Sequence, residues 1–546
     1  MIRIGLRLHL AGIVGYTAFL AFFAFIEVLS YGSLMAGAGG DPAGFATEMS
    51  VIGRQVSYLV DPPRHLELLA GYIQWFLIGY FAIFYSVWAL LAGNAAIRSD
   101  EEKGLLEQWR AAGVTPLRLI YGRLLAFAMA AAGSMLAVVL FALALTLLTG
   151  QTLPFGGSLL QAAGQLGPPV LVFAFGMLLA QFFSNRRSAL GIGGMVLGGL
   201  VLLNGFSRSV DYLRPYRWLS PFAYSDRVHA MTPGGGVDPW SLAAPFAAAL
   251  ALSGVAAYLT TRRDVGAALI HRKPGNRPPV REAASNPLLL VPGLNVVWEQ
   301  RVGLATWALA IALYAISNMP LVRPFTEFFT KASGVTRQQA DVAFGIGARD
   351  PIVGFISKEW FVAATLVVCA YSITQVARWA SDDVEGRLEM VLSTGVPRWR
   401  VVVERGAGLL AGATVIALGN VVGVLVGAAS VGIRLDFGRV LEASLLMLPV
   451  AFAFGAVGAG VAAWRPRPAM GVLIAVLAVS YLIPLMGVPL FHKLPPEWFT
   501  DLSVFQLYGS PLVEGVSWRG FTILLAVAAA GFAVALGAMQ RREVGR

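Results

Sequence analysis

One polar segment recurs between long apolar runs, and nothing else in the chain constrains its fold as much. Ser99–Arg123, SDEEKGLLEQWRAAGVTPLRLIYGR, returns as Ser381–Arg405, SDDVEGRLEMVLSTGVPRWRVVVER, at a constant offset of just over half the 546 residues. Ser99 pairs with Ser381, Asp100 with Asp382, Gly104 with Gly386, Leu106 with Leu388, Glu107 with Glu389, Gly113 with Gly395, Arg118 with Arg400 and Arg123 with Arg405, without a gap. Each copy follows one apolar run of membrane-crossing length and precedes another. A repeat of this kind marks a duplicated transporter half.

Each copy reads as one short helix. Ser99 with Glu102 fits a capping box, and Asp382 with Glu385 offers a similar acidic start. Acids in a first turn suit the helix dipole. Gly113 and Gly395 stand where a helix needs a left-handed C-terminal residue, and Pro116 and Pro397 follow. The spacing predicts about three turns of polar helix outside the bilayer. Leu106 with Trp109, and Leu388 with Val391, give it an apolar stripe at i, i+3.

The surroundings are those of a membrane protein: 57% of residues are hydrophobic, 13% are charged and the mean hydropathy is +0.70. Ordinary soluble domains carry about 25% charged residues. Twelve spans are expected, at Ala11–Tyr31, Leu68–Gly93, Leu124–Thr149, Gly164–Phe183, Ala189–Gly205, Ser241–Thr261, Val302–Met319, Trp360–Ala380, Gly406–Ala429, Leu441–Trp464, Ala469–Leu490 and Gly520–Met539. The fold class is therefore all-α, two pseudo-symmetric six-helix halves. Residues 1–263 form the first half, 264–295 a basic Pro-rich linker and 296–546 the second half. Met1–Leu10 reads as an interfacial helix. Leu219-Ser220 is echoed by Leu502-Ser503, and two tight basic loops, Ser184–Ser188 and Trp464–Pro468, also match.

The net charge of +11 fits loop charge rather than nucleic-acid binding. The larger share of the 41 Lys and Arg falls on the side that holds both termini, the linker and both repeated helices. The positive-inside rule puts that side in the cytoplasm. No metal or catalytic motif is found. Cys369 is the single cysteine and the five histidines are scattered. The chain has no Gly-Lys dipeptide, hence no P-loop, and Leu252-Ser253-Gly254 sits in an apolar run as packing.

The plan of two spans, a polar helix and four further spans, with Glu102–Glu107 (EKGLLE) and Glu385–Glu389 (EGRLE) each followed by Gly-Val and Arg, resembles the ABC-type-2 permease superfamily. The twofold repeat on one chain is similar to double-length permeases that export polyketide antibiotics and other hydrophobic drugs. The resemblance covers essentially the whole chain. It implies a multi-pass protein of the bacterial inner membrane with cytoplasmic termini. It also implies two copies of a soluble ABC ATPase as partners, with ATP and Mg on those partners and no cofactor on this chain. The repeated helices would be the ATPase-coupling elements, through Glu102, Gly104, Leu106, Glu107, Trp109 and Gly113 and through Glu385, Gly386, Leu388, Glu389, Val391 and Gly395. One departure stands out: Lys103 and Leu105 face Glu385 and Arg387, so the two ATPase contacts differ in charge.

Other residues have two readings. Singly, Glu107 and Glu389 read as solvated helix charges; their matched positions favour docking. Arg118, Arg123, Arg400 and Arg405 suit lipid-headgroup anchors. Glu27 interrupts the first span and fits an acid snorkelling to the interface, or a proton site. The aromatic band of the second span, with Tyr72, Trp75, Tyr80 and Tyr85, fits belt and packing first. With Asn204 it is also a candidate path for a hydrophobic small-molecule substrate. Asn204, Asn318 and Asn420 suit hydrogen bonds between helices. An ion-driven secondary transporter is the alternative function. It calls for charges in the bundle core, where Glu27 is the one clear candidate. A membrane glycosyl or lipid transferase lacks its acidic motif here.

Overall fold

The computed structural model of the chain describes residues 2–37, 41–55, 57, 60–102, 104–183, 186–208, 210–264, 268–269, 294–331, 341, 345–491 and 496–541. Lys103, Ser184, Asn185 and most of the 264–295 linker lie outside the described residues. Regular structure among those described is helical, apart from an isolated antiparallel bridge between Val228 and Val237. Eleven of these helices are long and apolar enough to cross a membrane. The expected eleventh span is a helix, Ala469–Phe491, whose apolar stretch among the described residues is the shorter Ala469–Pro484. Contacts divide the chain into two units, Met1–Gly275 and Asn276–Arg546.

In the first unit α1 is Ile2–Gly37, α2 Pro42–Gln55, α3 Leu69–Phe76, α4 Phe81–Glu102, α5 Leu105–Ala111, α6 Pro116–Thr149, α7 Phe155–Phe182, α8 Arg186–Phe206 and α9 Pro239–Arg262. A 3₁₀ turn, Ile78–Tyr80, joins α3 to α4. The interfacial helix expected over Met1–Leu10 is instead the start of α1, which runs unbroken. The reason is packing: His9 is buried against Trp88, Phe127 and Phe173, and a Cβ on Gly5 or Gly12 would stand 2.5 Å from Ala126 or Trp88. The core is α7, against which α4, α6, α8 and α9 all pack, while α1 lies on α6. Small residues allow the closest of these approaches. A Cβ on Gly93 of α4 would stand 2.3 Å from the backbone carbonyl of Phe173 on α7.

In the second unit α10 is Leu294–Glu299, α11 Arg301–Lys331, α12 Pro351–Phe355, α13 Phe361–Val384, α14 Arg387–Ser393, α15 Arg398–Ser430, α16 Phe437–Leu445, α17 Met447–Trp464, α18 Ala469–Phe491 and α19 Trp518–Arg541. A π-helical turn, Ile356–Trp360, joins α12 to α13, at the place in the chain order where the first unit has its 3₁₀ turn. Here α17 is the core: α13, α15, α18 and α19 pack on it, and α11 lies on α15. Taken by their place in the order, the long helices of this unit have the neighbours that their counterparts have in the first. A side-chain bond repeats as well. The Ser220 hydroxyl donates to Leu200 O at 2.8 Å, and the Ser503 hydroxyl donates to Ser480 O at 2.7 Å.

Several spans are longer than their apolar runs. The third is expected from Leu124 and starts at Pro116; the ninth is expected from Gly406 and starts at Arg398. Proline suits a first helical position, and the Thr115 hydroxyl caps α6 by accepting from Arg118 N. At about 1.5 Å per residue, α6 is about 50 Å long, well over a hydrocarbon layer of about 30 Å. The repeated segment lies where these helices extend past the expected apolar runs.

Candidate functional site

In both units the repeated segment forms the same backbone hairpin. The span helix does not stop at Ser99 or Asp382, where a helix start is expected, but runs on to Glu102 and Val384. A left-handed glycine then turns the chain, Gly104 at φ 66° and Gly386 at φ 72°. Neither site crowds a Cβ, so the backbone sign alone calls for glycine. The helices α5 and α14 are seven residues each, two turns rather than three. Gly113 and Gly395 end them at φ 76° and 81°, in the expected left-handed geometry.

Leu106 and Leu388 are buried, 2% and 4% exposed, and face their own unit. Leu388 packs with Val401, Val402, Ala535 and Met539. The stripe is thus spent largely on anchoring the hairpin. Trp109 is half-buried, whereas Val391 is 47% exposed. The free face carries Glu107 and Gln108 in one unit, and Glu389, Met390 and Val391 in the other. Glu102 and Glu385 are exposed at the turn. Each hairpin is also tied to the end of its unit's last span: Arg110 donates to Thr260 O at 2.7 Å, and Arg398 donates to Met539 O at 2.8 Å.

Beneath the first hairpin lies a set of buried charges that sequence reading does not bring together. Arg98 donates to Glu101 at 2.7 Å, Arg263 donates to the other oxygen of Glu101 and, at 2.5 Å, to Gln181, and Arg123 donates to Asp100 at 2.5 Å. The expected lipid-anchor role of Arg123 is therefore corrected, because the side chain is 3% exposed and ion-paired inside the unit. Its counterpart Arg405 is half-buried over the Trp379 ring, with Asp382 and Asp383 close by. Arg263, the last residue of the expected first half, is internal as well. The spacing of Arg98 and Glu101 at i, i+3 on the last turn of a span was the available signal.

The opposite end of the first unit holds a second buried cluster. Arg208 and Asn204 donate to one oxygen of Asp226 at 2.5 and 2.8 Å, and His229 Nε2 lies 3.5 Å from Asp61. Gln74 Nε2 donates to His229 Nδ1 at 3.2 Å. Burial pushes the Asp61 carboxyl up to about 6, with repulsion from Asp226 adding and Arg208 opposing. Burial and then Arg64 bring His229 down to about 4.

The candidate path residues are internal. Tyr72 donates to Glu27 at 2.7 Å, Trp75 to Asp61 O at 2.9 Å, and Tyr85 shares a 2.7 Å bond with Ser134. Tyr80 is half-buried beside Phe84. Asn420 joins helices as expected, accepting from Trp360 Nε1 at 3.0 Å and donating to Ser444 at 3.1 Å, whereas Asn318 donates within its own helix.

Eleven apolar helices of spanning length, a helical core in each unit and a polar hairpin at the same place in both define an all-α, multi-pass membrane protein. Residues 293–540 match the family model described as the C-terminal domain of the multidrug efflux system permease Rv1217c. Over 417 residues the chain is 26% identical to the multidrug efflux system permease protein Rv1217c of Mycobacterium tuberculosis (strain ATCC 25618 / H37Rv), covering 73% of this chain and 70% of that protein.

Proposed function

We propose that the chain is the permease subunit of an ABC-type-2 exporter that moves hydrophobic or amphipathic compounds out of a bacterial cell through the inner membrane. The observation that carries this reading is the hairpin: two copies with the same left-handed glycines at both ends, each at the end of a second span and each with a charged free face. The similarity to a multidrug efflux permease supports the direction and breadth of transport. With no phosphate-cradling motif in the sequence, ATP and Mg belong to a separate ATPase. Two hairpins on one chain call for two ATPase copies. The helix Ala469–Phe491 completes twelve spans, the repeated neighbour pattern supports two pseudo-symmetric halves, and the positive-inside count puts hairpins and termini in the cytoplasm.

Closure of the ATPase pair on ATP would then displace both docking helices and, through them, the second and third spans. The test is reconstitution of the full chain with its co-expressed ATPase in proteoliposomes. The expected stoichiometry is two ATPase subunits per chain. ATP-driven efflux of a hydrophobic dye is expected, and the Glu107→Gln, Glu389→Gln double variant should lose transport while remaining in the membrane. Normal efflux by that variant removes the coupling role. Efflux that ignores ATP and follows the proton gradient removes the ABC reading.

A further inference from the structure

A Leu-Ser-x-Phe sequence occurs once in each unit, at residues 219–222 and 502–505, following α8 in one and α18 in the other. Both copies fold alike. Leu219 and Leu502 are 69% and 61% exposed, while the serine and the phenylalanine after them are buried. Each serine hydroxyl donates to a carbonyl of the helix just left, Leu200 O on α8 and Ser480 O on α18. The chain thus leaves the span, turns back along it and is stapled there before it enters the interior. Ahead of each staple runs a short helical stretch with no buried residue, the 3₁₀ helix Asp211–Leu219 in one unit and the single turn Glu497–Thr500 in the other. The first exposes Tyr212, Tyr216 and Trp218, the second Trp498. The last span of each unit then opens with a further exposed tryptophan, Trp240 on α9 and Trp518 on α19. One exposed leucine needs no account, but two matched ones among tryptophans and tyrosines make a surface with a preference. Those aromatics favour the level where acyl chains meet headgroups.

Helix length fixes the depth. The 21 residues of α8 span about 31 Å, against a hydrocarbon layer of about 30 Å, which leaves no length to stand outside the bilayer. Leu200 lies six residues before the last residue of α8, Phe206, so the Ser220 staple holds about 9 Å inside the helix end. Ser480 lies eleven residues before the end of α18, within its apolar stretch Ala469–Pro484. Leu219 and Leu502, each next to its staple, are therefore held at acyl-chain depth with their side chains uncovered. Charges on the same stretches mark the upper limit. Arg214 pairs with Asp211 at 3.6 Å, and Arg519 pairs with Glu497 and, at 2.6 Å, with Asp501. Such pairs belong at headgroup level, where charge stays hydrated. Backbone bonds close both turns, as membrane depth requires: Ser220 N donates to Arg217 O and Ser503 N to Thr500 O, each at 2.9 Å.

We propose that each unit carries a lipid wedge on the membrane face opposite its hairpin. Residues 211–219 and 497–502 lie in the phospholipid of that leaflet, with Leu219 and Leu502 among the upper acyl chains and the charged pairs among the headgroups. Ser220 and Ser503 are positioning residues that set this depth by stapling each wedge to its span. The partner is phospholipid and not a second protein, because a span no longer than the hydrocarbon is thick leaves the stapled stretch no water to stand in. The wedges grip lipid whatever energy source drives transport.

Spin-label accessibility in the full chain, held in nanodiscs of phosphatidylethanolamine and phosphatidylglycerol, tests this. Cys369 is fully buried and out of the label's reach, so each reporter cysteine needs no other change. The reporters are Leu219→Cys and Leu502→Cys, with Gln108→Cys on the exposed face of the first hairpin as the reference in water. The ratio of collisions with oxygen to collisions with a water-soluble nickel chelate should be about tenfold higher at 219 and 502 than at 108, since oxygen concentrates in hydrocarbon and the chelate does not enter it. Labels at 219 and 502 that meet nickel as often as the label at 108 place the wedges in water and overturn the proposal. Labels shielded from both reagents mean that protein covers the stretch, a second copy or another chain, and overturn it equally. Ser220→Ala in the Leu219→Cys chain, and Ser503→Ala in the Leu502→Cys chain, remove one buried hydrogen bond each and should raise collision with nickel about threefold as the wedge lifts. An unchanged rate in both overturns the staple role.

Discussion

Replacing His229 by glutamine should change how the protein's stability depends on pH. In the parent, two groups of the buried cluster oppose each other. Asp61 has its carboxyl raised to about 6, against 3.8 in an unfolded chain. Between those values the folded state keeps a proton that the unfolded state has lost, so Asp61's contribution to stability falls as pH rises toward 6. His229 is brought down to about 4, against 6.5 unfolded. There the unfolded state holds the extra proton, and stability rises with pH from 4 to 6.5. Each proton is worth about 1.4 kcal/mol per pH unit, and from pH 4 to 6 the two slopes cancel. His229→Gln removes the rising limb, so relative to the parent the variant should lose about 3 kcal/mol between pH 4 and 6. Asp61→Asn should do the reverse and gain about 3 kcal/mol over the same interval. The measurement is equilibrium unfolding in mixed micelles at half-unit pH steps from 4 to 7. A His229→Gln profile that runs parallel to the parent's, or rises relative to it with pH, refutes the assignment of opposing protons to this pair.

Five further substitutions test the packing. Gly104→Ala and Gly386→Ala meet no neighbour, so each should cost only the left-handed backbone penalty of about 1–2 kcal/mol; limited proteolysis at the hairpin should speed up while the global melting temperature barely moves. Leu388→Ala empties the seat of α14 and should cost about 2–4 kcal/mol, read as faster proteolysis within 381–397 than in the parent. Gly93→Ala drives a methyl into the Phe173 carbonyl and should cost about 1–3 kcal/mol in a thermal unfolding assay. Gly133→Ala, with open space at its Cβ, should be neutral or slightly stabilising.

The chain's organisation was largely legible beforehand because it depends on periodic, local signals. Apolar runs of membrane length locate helices regardless of context, and the left-handed glycines at 113 and 395 follow from helix termination alone. Where reading failed, long-range pairing decided. Ser99 looks like a cap, yet the helix passes through it, since Arg98 and Asp100 find partners on α4 itself and on α6. Arg123 and Arg263 look like surface charges because nothing local announces Asp100, Glu101 or Gln181 as their partners. Asp61 comes from the segment before α3, whereas Asp226 and His229 come from the connection between α8 and α9, and no spacing rule brings the first to the other two. The fate of the apolar stripe shows the same limit: periodicity places Leu106 and Leu388 on one face, but not whether that face meets its own unit or a partner.

Arg98 stands where the second half has Ala380, and that difference has a consequence for heredity. Two identical subunits around a symmetry axis must carry the same side chain at equivalent sites. A duplicated gene escapes that rule, since each copy accumulates its own changes while synthesis still delivers them in equal number. Fusion onto one polypeptide is thus what permits one half to carry Arg98 where the other carries Ala380, a difference closed to a pair of identical subunits.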